Sequence, residues 1–298
     1  MQLTPDLLEG IAIGLLTAFL WGFSTNIYKS QSDEATPLAI TALKMWLAFL
    51  FMLALVVLPF RSAPFYVPFD SVVFLSLSVT MGLVIGDFVY LVGQERIGVS
   101  YAYPIANVFP IITYVLAIFM VAEKVIPLRF VGVIVAIAGI GLISYEQGDS
   151  EDGANLKDMV GIGLALFAAL CWSLGSIFLQ IGVTGIDPID ANFVRMAFGS
   201  ALFIPVILAA RSRGKHMPSG RSTKIVLAGS FFGMSLGTLL YTYSVDLIGA
   251  SVASLLGSTS PLFALPLSII FLKERYSRRS VLGAALTVLG VILVVIAA

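Results

Sequence analysis

The chain has 298 residues, of which 59% are hydrophobic and 11% charged, and its formal net charge is zero. A soluble protein carries about 25% charged residues, so this composition excludes an ordinary soluble domain and predicts a polytopic membrane protein. The balanced charge disfavours a nucleic-acid partner, which needs a basic face, while one Cys and one His exclude an intrachain disulfide and a Cys/His metal site.

The N-terminal segment 1–9 contains Asp6 and Glu9 and no Lys or Arg. That charge is wrong for a secretory leader, so we expect the first apolar run to be a retained helix. The apolar runs are each about 20 residues long, enough to cross a bilayer as a helix, and they lack the alternating polarity of membrane β-strands. The sequence predicts ten such helices, near 10–28, 37–59, 71–93, 99–121, 127–145, 159–180, 188–210, 224–244, 250–272 and 279–298.

A shift of 151 positions aligns the two halves of the sequence without a gap. Aligned Trp, Pro, Glu and Gly residues indicate duplication more strongly than aligned Leu or Val, which match by chance in apolar sequence. The matched pairs include Trp21/Trp172, Pro37/Pro188, Tyr90/Tyr241, Pro110/Pro261 and Glu123/Glu274. Five spans per half is an odd number, so the second half must enter the bilayer in the opposite direction. We therefore predict an all-α polytopic membrane protein with ten transmembrane helices in two inverted five-helix repeats, 1–145 and 159–298, joined by an acidic linker at 146–158.

Several stretches of the sequence match a known pattern. The segments AFLWGFSTNI (18–27) and ALCWSLGSIF (169–178) open the two halves, segments 37–51 and 188–202 each carry a basic residue, and 241–294 covers the last three helices. Over nearly the whole chain, these residues resemble the EamA type of the drug/metabolite transporter superfamily. The resemblance implies two five-helix repeats and the export of amino acids or other small metabolites; relatives carry nucleotide sugars or sugar phosphates.

Three charged residues lie well inside predicted spans. Lys44 and Arg195 occupy equivalent positions, each seven residues after the proline that opens its span, about 10 Å deep at 1.5 Å per residue. Their long side chains can reach the interface or tether a neighbouring helix; alternatively they face a cavity and hold a carboxylate. Asp87 is the carboxylate deepest within a span. It is either a protonatable coupling group or a contact for a substrate ammonium, or else it pairs with Lys44 or is simply a polar residue near the end of its helix.

Prolines at matched positions predict kinks in the fourth and ninth spans. Pro110 and Pro261 remove backbone hydrogen bonds, and Asn107 and Ser258 lie close by. Unwound backbone near the middle of a membrane is typical of transporter sites, although proline is also common in ordinary membrane helices.

Aromatic and amide side chains complete the predicted substrate site. Membrane Trp and Tyr commonly lie at the interface, but a buried Tyr hydroxyl needs a partner, which favours a hydrated cavity wall. The expected members are Trp21, Asn26, Tyr90, Tyr103, Trp172, Gln180 and Tyr241.

No phosphate-binding loop, nucleophile elbow or HExxH motif is present in the sequence, so we expect neither an enzyme nor a cofactor. The leading hypothesis is a secondary-active transporter, and specifically an exporter, that moves an amino acid or organic acid by alternating access. A sugar-phosphate, nucleotide-sugar or drug transporter is the alternative, and a scaffold, receptor or channel represents a different class. Transport can be driven by proton exchange, by substrate exchange or by facilitated export.

The expected partners are the lipid bilayer, a small polar substrate and, in one of these schemes, protons. The chain is expected in the plasma membrane as a monomer or homodimer. Loops after odd-numbered spans carry 12 Lys and Arg residues and the other loops carry 3. The positive-inside rule places both termini outside, whereas the resemblance implies termini inside, so the orientation stays open.

Overall fold

The computed structural model describes residues 4–29, 31, 37–58, 64–97, 99–147, 158–212, 220–272 and 278–297, and these are almost entirely helical. Two π-helical segments, Thr80–Gly86 and Phe231–Leu236, lie between α-helices. The α-helices are α1 (Pro5–Lys29), α2 (Pro37–Val57), α3 (Phe69–Val79), α4 (Asp87–Ile97), α5 (Val99–Ala106), α6 (Phe109–Met120), α7 (Pro127–Gln147), α8 (Met159–Val183), α9 (Pro188–Ser212), α10 (Gly220–Ser230), α11 (Gly237–Ser258), α12 (Ser260–Leu272) and α13 (Arg278–Ile296).

Five helical stretches among the described residues are long and apolar enough to cross a membrane. They are Pro5–Tyr28, Ile40–Val57, Phe69–Ile97, Met159–Val183 and Gly220–Ala264, and shorter apolar helices cover Phe109–Met120, Pro127–Leu142 and Val281–Ile296. The prediction of an all-α polytopic membrane protein is confirmed, while the count of ten spans stays a prediction.

Helix boundaries follow from local chemistry. Helices α2, α7 and α9 begin at prolines, which suit a first turn whose N–H groups lack helical partners. Asp158 caps α8, since its Oδ1 accepts hydrogen bonds from the backbone N–H groups of Val160 and Gly161 at 3.0 and 3.1 Å. Gly249 interrupts α11 with a φ of +79°, a conformation that glycine adopts without steric penalty.

Helices at equivalent positions of the two halves pack antiparallel. Helix α7 meets α13 with Gly132 against Gly290 and Gly139 against Gly283. The 151-residue shift exchanges these two contacts, as expected for a two-fold axis perpendicular to the helices. Glycines allow such close approach where lipid provides little hydrophobic driving force. Helices α2 and α9 are also antiparallel, because Ser200 Oγ donates to the Met45 carbonyl at 3.2 Å while the later Phe49 of α2 packs on the earlier Phe193 of α9, with ring centroids 6.1 Å apart.

The halves are also interleaved. Helix α1 packs along α11 with Ile248 against Gly10, and the equivalent contact places Ile97 of α4 against Gly161 of α8. The two π-helical segments also occupy equivalent positions. Each half therefore supplies its first helix to the other half, and the middle of the molecule is built from both.

The predicted proline kinks are complete helix breaks. Pro110 is the second residue of α6 and Pro261 the second residue of α12. At this position a proline lacks only an N–H that would be unpaired in any case. The fourth predicted span is thus built from α5 and α6, and the ninth is built from the part of α11 after Gly249 together with α12.

Candidate functional site

A cavity of about 370 Å³ lies between the two halves, at the small end of the range for metabolite pockets. It is lined mainly by α1, α2, α4 and α5 of the first half and by α8 and α11 of the second half. Most of the predicted site residues line it, namely Trp21, Lys44, Asp87, Tyr90, Tyr103, Asn107, Trp172, Arg195, Tyr241 and Ser258. The structure thus brings together side chains that are distant in sequence and come from both halves.

Two predicted residues, Asn26 and Gln180, lie outside the cavity lining. Asn26 Nδ2 donates to the carbonyls of Gly22 and Ala264 at 3.1 and 3.2 Å, which ties α1 to α12. Gln180 Oε1 accepts a hydrogen bond from Ala250 N at 2.7 Å, directly after the break at Gly249. Both side chains therefore hold helices together and do not line the cavity. Pro110 and Pro261 also lie outside the lining and act through the helix breaks.

The first half of the chain contributes a carboxylate and an ammonium. Asp87 begins α4 directly after the first π-helical segment, and its Oδ1 accepts a hydrogen bond from Trp172 Nε1 at 3.0 Å. The Lys44 ammonium lies 5.1 Å from the ring centroid of Tyr28, within range of a cation–π interaction. Within the part of the chain that the structure describes, Lys44 and Asp87 form no direct ion pair. Both charged groups are thus available on the cavity wall.

The second half contributes a guanidinium in a hydroxyl and amide network. Arg195 is only 5% exposed, and its Nη1 donates to Asn192 Oδ1 and Thr242 Oγ1, both at 3.2 Å. Its Nε is buried without a hydrogen-bond partner, and none of the described carboxylates pairs with it. A buried cation is stable only when its charge is compensated, so this arrangement suits a bound anionic group.

Aromatic pairs repeat across the two halves. The rings of Trp21 and Tyr241 lie 5.3 Å apart and those of Trp172 and Tyr90 lie 5.2 Å apart. The 151-residue shift exchanges these two pairs. The Tyr241 hydroxyl shares a 2.9 Å hydrogen bond with Ser176. These rings form apolar walls on either side of the charged groups.

Hydrogen bonds also connect the two helix breaks. The Tyr103 hydroxyl lies 3.3 Å from Ser260 Oγ, and Asn107 Nδ2 donates to the Tyr103 carbonyl at 3.0 Å. Ser260 begins α12, whereas Tyr103 lies on α5 and Asn107 lies in the break between α5 and α6. The broken helices of both halves therefore meet at the cavity.

Sequence reasoning missed the partners of Arg195. Asn192 precedes Arg195 by three residues on α9, a spacing that places two side chains on one helix face, and this signal was available in the sequence. Thr242 gave no such signal, and neither did Ser176, the partner of Tyr241, because small hydroxyl residues are common in membrane helices as packing groups.

One end of the bundle is closed. A buried apolar cluster that includes Leu75, Ala117, Ile177, Val245 and Ala253 fills the space beyond Ser176. At the same end, Ser251 Oγ donates a hydrogen bond to Glu123 Oε1 at 2.7 Å, which holds the first helical turn after Gly249 in place. Glu123 also accepts a hydrogen bond from Arg129. The cavity extends toward the other end, where Tyr28 and Thr41 line it.

Comparisons with known proteins agree with a membrane transporter. A family model described as "EamA-like transporter family" matches residues 8–145 and 159–296. A protein of Archaeoglobus fulgidus named "Uncharacterized transporter" is 23% identical over 291 residues, which covers 96% of this chain and 98% of that protein. Human "Solute carrier family 35 member G1" is 28% identical over 137 residues, or 45% of this chain and 36% of that protein. A solved structure described as "Crystal structure of protein" has the same fold, with a TM-score of 0.79, 17% identity and coverage of 97% and 98% of the two chains.

Proposed function

Because the chain belongs to the EamA-like transporter family, we propose that it is a secondary-active exporter of an amino acid or organic acid in the plasma membrane. The observation that carries this substrate assignment is the presence of both signs of charge in one cavity without a direct ion pair among the described residues. Lys44 and Asp87 come from the first half of the chain, and Arg195 comes from the second half.

The charges match the two ends of a small zwitterion. Arg195 presents a buried guanidinium whose Nε has no partner, and a guanidinium binds carboxylates in a planar, charge-assisted geometry. Asp87 has one oxygen bonded to Trp172 and can accept a substrate ammonium with the other. An organic acid without an amine would use the basic residues alone.

The size of the cavity favours a small solute over the larger alternatives. At about 370 Å³, it lies near the lower limit of pockets that enclose drug-sized ligands. A nucleotide sugar contains a base, a ribose and two phosphates in addition to its sugar, so it would need a wider cavity with more cationic groups. The aromatic walls suit an apolar side chain on the substrate.

Alternating access is supported by the antiparallel halves. Two states of similar free energy are expected when equivalent elements can exchange their roles. The closed end is sealed by apolar packing and by the Glu123–Ser251 hydrogen bond, and the cavity extends the other way. Export as the direction follows from the sequence resemblance to EamA-type exporters.

The test is transport by the purified protein in proteoliposomes across a panel of amino and organic acids. We expect saturable exchange of at least one panel member above protein-free vesicles. Asp87→Asn and Arg195→Gln should each reduce it about tenfold or more, since a hydrogen bond to a charged group contributes about 1.5–3 kcal/mol. Matched controls are Asp246→Asn and Arg221→Gln, whose side chains are exposed outside the cavity. The proposal fails if no panel member moves, or if the control variants lose as much transport as the cavity variants.

A further inference from the structure

The two cavity tryptophans occupy equivalent positions and have equivalent packing. Trp21 packs against Gly237 and against the Tyr241 ring at an interplanar angle of 39°, while Trp172 packs against Gly86 and against the Tyr90 ring at 45°. A purely structural role would be the same for both rings.

Their indole N–H groups nevertheless have different acceptors. Trp21 Nε1 donates to the backbone carbonyl of Gly233 at 3.1 Å, whereas Trp172 Nε1 donates to Asp87 Oδ1 at 3.0 Å. The position equivalent to Asp87 in the second half is Thr238, which donates its hydroxyl hydrogen to the Met234 carbonyl. The indole–carboxylate hydrogen bond of Trp172 therefore has no counterpart at the equivalent Trp21.

This hydrogen bond distinguishes the two oxygens of the Asp87 carboxylate. Oδ1 is fixed by a neutral donor, which orients the carboxylate without cancelling its charge. Among the described residues, Oδ2 accepts no hydrogen bond, and Asp87 lines the cavity. The charged and titratable groups that face it are Lys44 on α2, Tyr90 on its own helix and Tyr103 on α5. Oδ2 of the Asp87 carboxylate is thus available to accept a hydrogen bond from a ligand.

We propose that Trp172 is a positioning residue that aims Oδ2 of Asp87 at the substrate and so determines recognition of a cationic amine. This inference rests on the proposed function, because it takes Asp87 as the ammonium contact. A carboxylate released from Trp172 could rotate toward Lys44, and its pairing with the Lys44 ammonium would compete with substrate. Trp172 therefore acts through Asp87, whereas its ring contributes apolar wall as Trp21 does.

The test compares L-leucine with its 2-hydroxy-acid analogue, which lacks the amine, as competitors of transport in proteoliposomes. Trp172→Phe keeps an aromatic ring and removes the donor. It should raise the half-saturation concentration of L-leucine relative to that of the hydroxy acid about threefold to tenfold, as expected for the loss of one hydrogen bond of typical net strength. Trp21→Phe should leave this ratio unaltered, because its N–H group bonds a backbone carbonyl.

Two further variants keep the outcome interpretable. Benzothienylalanine at position 172 replaces the ring N–H by sulfur with little change of shape, and it should reproduce the altered ratio even if Trp172→Phe folds poorly. Asp87→Asn should abolish discrimination between the two acids. If Asp87→Asn changes the ratio but neither replacement of Trp172 does, the positioning role is refuted and the proposed function stands. If Asp87→Asn leaves the ratio unchanged, the assignment of Asp87 in the proposed function is itself wrong.

Discussion

Replacement of Gly290 by alanine should destabilise the contact between α7 and α13. A Cβ atom at this position would lie 2.5 Å from the Gly132 carbonyl oxygen and 2.6 Å from Ala136 Cα. Both are backbone atoms of α7, which cannot rotate away as a side-chain terminus can. The helices would have to separate by about 1 Å to restore ordinary contact distances.

The magnitude follows from two opposing effects. Overpacking a close contact costs about 1–3 kcal/mol, whereas alanine favours the helix over glycine by about 0.5–1 kcal/mol. The expected net loss is therefore at most about 2.5 kcal/mol, with a central value of about 1 kcal/mol. The 151-residue shift maps Gly290 onto Gly139, where a Cβ would lie 2.5 Å from the Gly283 carbonyl oxygen. Gly139→Ala should therefore cost a similar amount.

The assay is reversible unfolding in mixed micelles titrated with dodecyl sulfate and followed by circular dichroism. Gly141→Ala on α7 is the matched control, because a Cβ there meets nothing within 4 Å. This control should be neutral or slightly stabilising. The reasoning is refuted if Gly290→Ala unfolds at the same detergent fraction as Gly141→Ala, or if Gly139→Ala and Gly290→Ala differ in sign.

Two other changes test the closed end and a helix cap. In a Cys171→Ser background, the reporter variant Ala253→Cys should be protected from a membrane-impermeant maleimide. Adding Glu123→Ala removes the acceptor of the Ser251 hydrogen bond and should raise the labelling rate of this cysteine about tenfold. An unchanged labelling rate would contradict a sealing role for Glu123. At Asp158, the hydrogen bond from the Gly161 backbone, followed by that from Arg96, lowers the pKa of the carboxyl below 3.8. Its contribution to stability is therefore complete above pH 3.8 and lost as the pH falls through the lowered value. Asp158→Ala should reduce the melting temperature at neutral pH, and the melting temperature of this variant should fall less steeply in acid than that of the unmutated protein. An equally steep fall in acid would count against the cap.

Much of the architecture could be predicted because duplication leaves matching residues at a fixed shift. The pairs Trp21/Trp172 and Tyr90/Tyr241 predicted equivalent environments, and the structure places both pairs on the cavity wall. Prolines at matched positions likewise predicted where helices would bend, although the chain breaks there completely. Such features depend on residue type and spacing, which the sequence contains.

Other features depend on how each helix is rotated about its own axis and on how far along the helix the cavity extends, and the sequence determines neither. Trp21, Thr25 and Tyr28 share the face of α1 that lines the cavity, and Asn26 points away from that face because successive helical residues differ by about 100°. Gln180 lies one turn beyond Ser176, within the closed end. The hydrogen bond between Trp172 and Asp87 joins residues 85 positions apart, and only the folded arrangement brings them together.

The most direct test of the account is two-sided accessibility of the cavity. A single cysteine in place of Ser258, in the Cys171→Ser background, is treated with an impermeant maleimide from either face of oriented proteoliposomes. The account predicts reaction from both faces, with rates that a transported solute changes in opposite directions. Reaction from one face only, in protein that still transports, would contradict alternating access through this cavity.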